Sequence, residues 1–216
     1  MDLRSLAFAA LALGLACSDD VPDRPGDGAG DAGLSVDAGQ DAGLSADDAG
    51  VMDGPDGSTG GSCPPSGPFG TALGDIAPDV TLLDCAGTEV SLHDALCEAE
   101  AGWVFVFAEW CPPCRTFARD DVENIWQSHR EQGLQALVVV TADSSYDAPT
   151  AELCAEVQER YGLTMPVLYD PTGAFASALE VQSNAVDIVF SSGVEIEWKG
   201  RYDSADVDGQ ITAVLE

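Results

Sequence analysis

Two nearly uninterrupted apolar runs dominate the hydropathy pattern of residues 63–216. WVFVFA (103–108) and LQALVVVT (134–141) lack the alternation of a half-exposed strand, which predicts two strands buried on both faces of a sheet. Between them, residues 112–133 place apolar side chains along one side of a predicted helix, with prolines in its first turn and Gly133 at its end. Strand, helix and strand in this order are typical of an α/β fold.

Shorter patterns on either side extend this sheet. Upstream, DVTLLD (79–84) and EVSL (89–92) predict a β-hairpin that leads into a short helix. Downstream, the pattern predicts a helix that ends at Gly162, a short extended segment, a second short helix, a hairpin around the turn SSG (191–193) and a last helix over 205–216. The sequence therefore predicts an α/β domain over residues 63–216, with a mixed central β-sheet flanked by helices and an N-terminal hairpin extension.

Residues 1–17 have the character of a targeting segment. An apolar run that is too short to span a bilayer follows Arg4 and ends at Cys17. This resembles a bacterial lipoprotein signal peptide, in which Cys17 is lipidated, becomes the new N-terminus and anchors the protein to a membrane facing the periplasm or exterior. The alternative is ordinary signal cleavage and secretion of a soluble protein. Either route leads to an oxidising compartment, where disulfides persist.

Residues 18–62 consist almost entirely of Asp, Ala, Gly, Ser and Pro and contain no aromatic residue. Such a composition cannot offset the entropy of ordering, so we expect a disordered linker between the anchor and the domain. The whole chain carries 38 acidic and 8 basic residues, a formal net charge of −30. A field of this sign repels phosphate backbones, which argues against a nucleic-acid partner.

The segment EWCPPCR (109–115) follows the first apolar run directly and carries the chemistry. Cys111 stands where the predicted helix begins, and unpaired backbone N–H groups there favour a thiolate. Cys114 lies one turn later on the same face, within reach of a disulfide. We expect Cys111 to attack or be attacked and Cys114 to resolve the mixed disulfide. Pro112 and Pro113 stiffen the loop between them.

FAEWCPPCR after an apolar strand resembles the thioredoxin superfamily. GDIAPDVTLLDCAGTEVSLHDAL (74–96) and MPVLYDPTGAFASALEV (165–181) resemble its membrane-tethered redoxin branch, which includes thiol–disulfide oxidoreductases of the cytochrome-c-maturation type and is related to AhpC/TSA peroxiredoxins. The resemblance implies a thioredoxin-like fold from about residue 70, protein thiol or disulfide substrates, an unidentified electron donor or acceptor, and no cofactor. It also implies that Trp110 forms part of the docking rim.

Two positions depart from the family pattern. The family's buried acid, six residues before the first cysteine, is replaced by Phe105; Glu109 is nearer, but we expect it to face solvent. The cis-proline that contacts the cysteine pair corresponds to Ala185, so we expect a trans bond there, because a cis bond before a non-proline costs about 2.5–4 kcal/mol. A non-catalytic binding lipoprotein of thioredoxin fold is therefore an alternative to the enzyme.

Other functions fit the same residues less well. A thiol peroxidase would carry Thr three residues before its cysteine, where this chain has Ala108. A zinc site needs two more ligands, and the two histidines offer none: we expect His93 at the surface and His129 as a polar member of its helix. A permanent Cys111–Cys114 crosslink would remove little unfolded-state entropy, because it closes few residues.

Four further cysteines are candidates for structural disulfides, and they allow three pairings. Cys85 and Cys97 are close in sequence, at the ends of a strand and of the next helix, so we expect them to pair. That leaves Cys63 to pair with Cys154. Buried free thiols are the alternative.

Overall fold

A seven-stranded mixed sheet forms the centre of the fold in the computed structural model, which describes residues 63–182, 186–201 and 204–216. The predicted signal peptide with Cys17, the linker 18–62 and Ala185 lie outside these residues. The strands are β1 (Thr81–Asp84), β2 (Glu89–Ser91), β3 (Ala101–Ala108), β4 (Leu134–Ala142), β5 (Val167–Tyr169), β6 (Val186–Ser191) and β7 (Glu195–Arg201). Their order across the sheet is β2-β1-β5-β4-β3-β6-β7.

The helices are α1 (Leu92–Leu96), α2 (Pro112–Phe117), α3 (Glu123–His129), α4 (Ala151–Tyr161), α5 (Ala174–Ala178) and α6 (Ser204–Leu215). A π-helical segment, Ala118–Val122, joins α2 to α3 without a break, so residues 112–129 form one continuous helical rod. Both predicted β-hairpins and the predicted order of elements are confirmed, as is the fold class of a thioredoxin-like mixed sheet flanked by helices. Of the helices that the structure describes, none is long and apolar enough to cross a membrane.

The two apolar runs form the middle of the sheet. β3 and β4 are parallel neighbours, β5 continues the parallel set, and β1 and β6 pair antiparallel with β5 and β3. Every residue of β3 is buried. Its alternate side chains enter two separate cores, because successive residues of a strand point to opposite faces. One core, here called the α2 face, is covered by α2, α3, α4 and α6; the other, the α1 face, is covered by α1 and α5.

Glycines end two helices at the predicted places. Gly133 follows the helical rod with φ 102°, and Gly162 follows α4 with φ 63°. Both values lie in the left-handed region that glycine adopts without a steric penalty. At its other end, α4 begins at Thr150, whose hydroxyl accepts the N–H of Leu153 at 3.3 Å. These local signals explain why the helix boundaries could be predicted.

The disulfide pairing expected for the four outer cysteines is wrong. Cys63 bonds to Cys97 and Cys85 bonds to Cys154, with Cα–Cα distances of 5.7 and 5.2 Å. Cys85 and Cys154 pack against the α2 face, whereas Cys97 belongs to the α1 face. The sheet lies between Cys85 and Cys97, so their closeness in sequence does not bring the two sulfurs together.

Candidate active site

The WCPPC motif lies where β3 ends and α2 begins. The chain turns tightly there: the Glu109 N–H donates to the Ala142 carbonyl oxygen at 3.0 Å, and the Cys111 N–H donates to the Ala108 carbonyl oxygen at 3.1 Å. Cys111 has an extended backbone, with φ −87° and ψ 104°, and is the N-cap of α2. The C-terminal end of β3 therefore places the first cysteine at the N-terminus of α2.

Cys111 and Cys114 form a disulfide, with a Cα–Cα distance of 5.3 Å. The N–H of Cys114 donates to the Cys111 sulfur at 3.3 Å, so the Cys111 side chain itself caps the helix. Cys111 is 4% exposed and Cys114 is completely buried. A partner sulfur approaching from solvent therefore meets Cys111 first. Pro112 is exposed and Pro113 is half-buried in the first turn of α2. Proline fits there because an N–H group in the first turn has no intrahelical acceptor.

An aromatic pair lies beside the disulfide. The Trp110 ring stacks on Tyr146 with centroids 4.7 Å apart and an interplanar angle of 27°. Tyr146 is 71% exposed and has φ 69°, which is unusual for a bulky residue. Asp143 holds its loop, because one carboxylate oxygen accepts the N–H groups of Ser145 and Asp147. Sequence reasoning missed Tyr146, since nothing local predicts this stack.

Glu109 does not face solvent as expected. Its side chain is only 13% exposed, and its carboxylate accepts a bond from the Arg160 guanidinium at 2.5 Å. Arg160 also bonds Glu156 one turn away on α4 at 3.1 Å. Burial raises the pKa of the adjacent Tyr161, and the Glu109 carboxylate adds to the increase. The prediction failed because the charge partner comes from α4, 51 residues further along the chain.

A cavity of about 480 Å³ opens beside this ion pair and next to Pro112. Arg115, Arg119 and Arg160 line it, so three of the chain's eight basic residues surround one hollow at the redox motif. Asp120 neutralises Arg119 through two bonds of 2.7 Å. Within the described part of the chain, Arg115 makes no ion pair.

A buried acid that sequence reasoning missed lies on the neighbouring strand. Phe105 is completely buried, as an apolar residue at that position should be, and Asp187 of β6 stands directly opposite it. Asp187 is itself fully buried, and Trp103 Nε1–H donates to its Oδ1 at 2.8 Å. Burial raises the pKa of Asp187 to about 8, although the Trp103 bond opposes the increase. The sequence does signal this acid, because Asp187 is the one charged residue inside the apolar run AVDIVF (185–190).

The two histidines have other partners in the fold. His93 is 4% exposed, not at the surface as expected, because its Nε2 bonds the Ala77 carbonyl oxygen at 2.8 Å. His129 Nε2 bonds Asp208 of α6 at 2.8 Å. Among the residues that the structure describes, no three His, Cys, Asp or Glu side chains are grouped so that they could hold a metal ion.

Comparison with known proteins identifies the family of this chain. A sequence profile of the AhpC/TSA family matches residues 73–199. A hypothetical protein from Sinorhizobium meliloti has a similar structure, with a TM-score of 0.60 and 20% identity over 68% of this chain and 85% of that one. No protein with a curated description matches the sequence.

Two further solved structures have names that describe redox proteins. A putative thiol:disulfide interchange protein DsbE from Chlorobium tepidum superposes with a TM-score of 0.58 and 22% identity, over 68% of this chain and all of that one. A secreted Mycobacterium tuberculosis disulfide oxidoreductase homologous to E. coli DsbE gives 0.51 and 12%, over 62% and 95% of the two chains. At these identities the likeness demonstrates the fold.

Proposed function

Because this chain belongs to the AhpC/TSA family of the thioredoxin superfamily, we propose that it is a thiol–disulfide oxidoreductase that acts on protein thiols and disulfides through Cys111 and Cys114. The observation that carries the proposal is the disulfide between these residues at the start of α2. A sulfur that accepts a helix N-terminal N–H is stabilised as a thiolate, which is the nucleophile and the better leaving group.

The exchange has two steps that balance. In the reducing direction, the Cys111 thiolate attacks a substrate disulfide, a mixed disulfide forms, and one substrate sulfur leaves as a thiolate that takes up a proton. The Cys114 sulfur, after losing its proton, then attacks Cys111, and the second substrate sulfur leaves. Two electrons pass to the substrate and the Cys111–Cys114 disulfide forms. Oxidation of a partner runs the same steps backwards.

Insulin reduction with a chemical reductant tests the proposal. The wild-type protein should accelerate the precipitation of insulin chains, and Cys111→Ser should abolish the acceleration. Cys114→Ser should keep the first step and accumulate a mixed disulfide, because the resolving sulfur is missing. Cys85→Ala combined with Cys154→Ala is the matched control, since it removes a disulfide outside the motif. No cysteine-dependent rate would favour the binding module, and cysteine-dependent peroxide consumption in the same samples would favour a thiol peroxidase.

The direction of electron flow follows from the reduction potential of the motif pair. A potential near about −270 mV would identify a reductant of partner disulfides, and one near about −120 mV an oxidant of partner thiols. Equilibration with glutathione at known ratios, followed by alkylation and mass analysis of the motif peptide, measures it. The electron donor of a reductant would have a lower potential than this value, and the electron acceptor of an oxidant would have a higher one.

We also propose that the domain acts in the bacterial cell envelope, tethered by a lipid on Cys17 through the linker 18–62. The signal-like segment supports this, and so do the two disulfides outside the motif, Cys63–Cys97 and Cys85–Cys154, because such bonds persist in oxidising compartments. A related fold is described as secreted. Trp110 would contact the partner there, beside the disulfide that it flanks.

A further inference from the structure

Asp187 is a buried acid that the exchange described above does not use. It pairs with Phe105 across β6 and β3, and residues directly opposite in an antiparallel pair point to the same face of the sheet. Phe105 belongs to the core that also contains Cys111 and Cys114. The Asp187 carboxyl therefore lies on the α2 face, in the same buried layer as the redox pair.

Among the residues that the structure describes, only one oxygen of this carboxyl has a hydrogen-bond partner. Trp103 donates to Oδ1, whereas Oδ2 is buried without a partner among the described residues. A buried polar atom in this state costs stability, and most buried polar groups avoid it. Packing alone does not account for an acid here, because an apolar residue would fill the same space without that cost.

Aromatic rings connect the surroundings of the carboxyl to the helical rod that carries Cys114. Phe117, one turn after Cys114 on the helical rod, packs edge-on against Phe105 with centroids 5.1 Å apart and against Trp103 with centroids 6.5 Å apart. All three rings are buried. Charges in such surroundings interact far more strongly than charges in water, because little solvent lies between them.

We propose, on the basis of the function proposed above, that Asp187 is a positioning residue that acts through Cys114: its ionisation makes Cys114 a poorer leaving group and so couples the redox reaction to pH. When a partner thiolate attacks Cys111, a partner–Cys111 bond forms and the Cys111–Cys114 bond breaks. The electron pair of the broken bond stays on Cys114, which afterwards takes a proton from solvent. A neutral Asp187 tolerates this new negative charge, whereas an ionised one repels it.

The coupling would operate near neutral pH, because burial raises the pKa of Asp187 to about 8. β3 and β4 carry no titratable side chain, and Lys199 of β7 lies toward the opposite face, where its Nζ donates to the Leu179 carbonyl oxygen at 2.7 Å. The other titratable groups on described elements packed against the α2 face include Cys111, Cys114, Tyr161, Tyr169, His129 and Asp208. The last two bond each other, and Asp208→Asn would expose any contribution from them.

The test is the rate at which dithiothreitol reduces the oxidised protein, measured from pH 6 to pH 10 in wild type and Asp187→Asn. The reagent's own ionisation cancels in the ratio of the two rates. At an effective dielectric constant of about 20, repulsion between two buried charges on one face of a small domain changes an equilibrium by roughly tenfold. We therefore expect the ratio of wild-type to variant rate to fall by about threefold to tenfold as the pH rises through 8. A ratio that stays constant would overturn the proposal.

Asp170→Asn is the matched control. Asp170 is 2% exposed, but its carboxylate accepts the N–H groups of Ala174 and Phe175 at 3.0 and 2.9 Å and so has a structural role in starting α5. That variant should lose stability and keep the wild-type pH dependence of the reduction rate. If Asp187→Asn fails to fold, infrared titration of carboxyl groups in the wild type gives the answer without a variant.

Coupling is reciprocal, so the infrared experiment has a definite outcome. The buried carboxyl should titrate at a higher pH in the reduced protein, where the motif carries a thiolate, than in the oxidised protein, where the disulfide is neutral. Identical titrations in both redox states would refute the coupling. Because dithiothreitol is a small reagent, failure of insulin reduction with a pH-dependent rate ratio would overturn the proposed function and leave this inference standing.

Discussion

At the scale of single residues, Asp187 should dominate the dependence of stability on pH in the neutral range. Its pKa is about 8 in the folded protein and near 3.8 when unperturbed, so between these values the folded state holds a proton that the unfolded chain has released. The free energy of unfolding must then fall as pH rises from about 4 to 8, by up to about 1.4 kcal/mol per pH unit. Asp187→Asn should remove this slope, as urea unfolding of the oxidised proteins at pH 5, 6, 7 and 8 would show.

The acids with lowered pKa values do not interfere with that measurement. Hydrogen bonds to the carboxylates of Asp79 and Glu123 outweigh their partial burial and lower the pKa of each. Their stabilising contribution is lost only as pH falls through those lowered values, below the window that is measured. Parallel stability curves for wild type and Asp187→Asn between pH 5 and 8 would show that the Asp187 carboxyl is not held neutral.

The ion pair beside the motif gives a second prediction at this scale. Arg160→Gln should destabilise the fold, because it leaves the largely buried Glu109 carboxylate without its charge partner. The expected loss is only about 1 kcal/mol, because the arginine is 45% exposed and solvent screens the pair. Glu109→Gln should cost less, because no buried charge remains. Urea unfolding measures both. Equal losses would contradict this asymmetry, and Arg119→Gln, at an exposed pair, should have no measurable effect.

These residues show where sequence reasoning succeeds at the single-residue scale. That Cys111 and Cys114 lie within disulfide reach could be predicted, because their spacing, the preceding apolar run and the following helix are all local features. Glu109 and Asp187 could not be placed, because their surroundings come from α4 and β3, far away along the chain. A buried acid, Asp187, stands opposite Phe105 on the neighbouring strand.

At the scale of elements, the two outer disulfides should differ in how much they stabilise the fold. Cys85–Cys154 closes a separation of 69 residues and joins the N-terminal hairpin to α4, whereas Cys63–Cys97 closes 34. Both losses should lie at about 2–4 kcal/mol, and the larger should follow Cys85→Ala with Cys154→Ala, because the longer loop restricts the unfolded chain more. Urea unfolding of the two double variants would measure this difference.

A peptide map of the unreduced protein provides the check on the pairing itself. Proteolytic fragments should remain linked through Cys63 and Cys97 and through Cys85 and Cys154. A linked pair of Cys85 and Cys97 would contradict the structure and restore the pairing expected from sequence.

The elements themselves could be predicted nearly completely, and the failure of the disulfide pairing explains the limit. Apolar runs identify β3 and β4, and Gly133 and Gly162 mark helix ends, because these signals act through backbone geometry within a few residues. A disulfide instead depends on which face of the sheet each cysteine reaches. That is decided by strand order, and the antiparallel insertion of β1 beside β5 is not encoded in any local pattern.

At the scale of the whole molecule, an acidic chain carries three arginines around the cavity beside its WCPPC motif. The net charge of −30 should slow the approach of acidic partners and favour basic ones through long-range steering, an effect that salt weakens. Around the cavity beside Pro112, Asp120 pairs with Arg119 and Glu109 pairs with Arg160, so Arg115 is the only one of its three arginines without an ion pair among the described residues. The acidic field of the whole chain therefore sets the electrostatic preference for partners.

The proposed lipid anchor gives the last prediction. Lipids on Cys17 would hold the protein at the membrane, since each buried CH₂ group contributes about 0.8 kcal/mol and more than one chain makes binding stable. Expressed in a bacterial host, the full chain should collect in the membrane fraction with a lipid mass. Cys17→Ser should lose the lipid mass, so that the protein either becomes soluble or keeps its signal peptide. Cys63→Ser, which removes a cysteine of the domain, should leave the partition unchanged. A wild-type protein that is soluble and begins at Cys17 or Ser18 without a lipid mass would instead establish ordinary secretion, because only acylation at Cys17 supplies the hydrophobic free energy of anchoring.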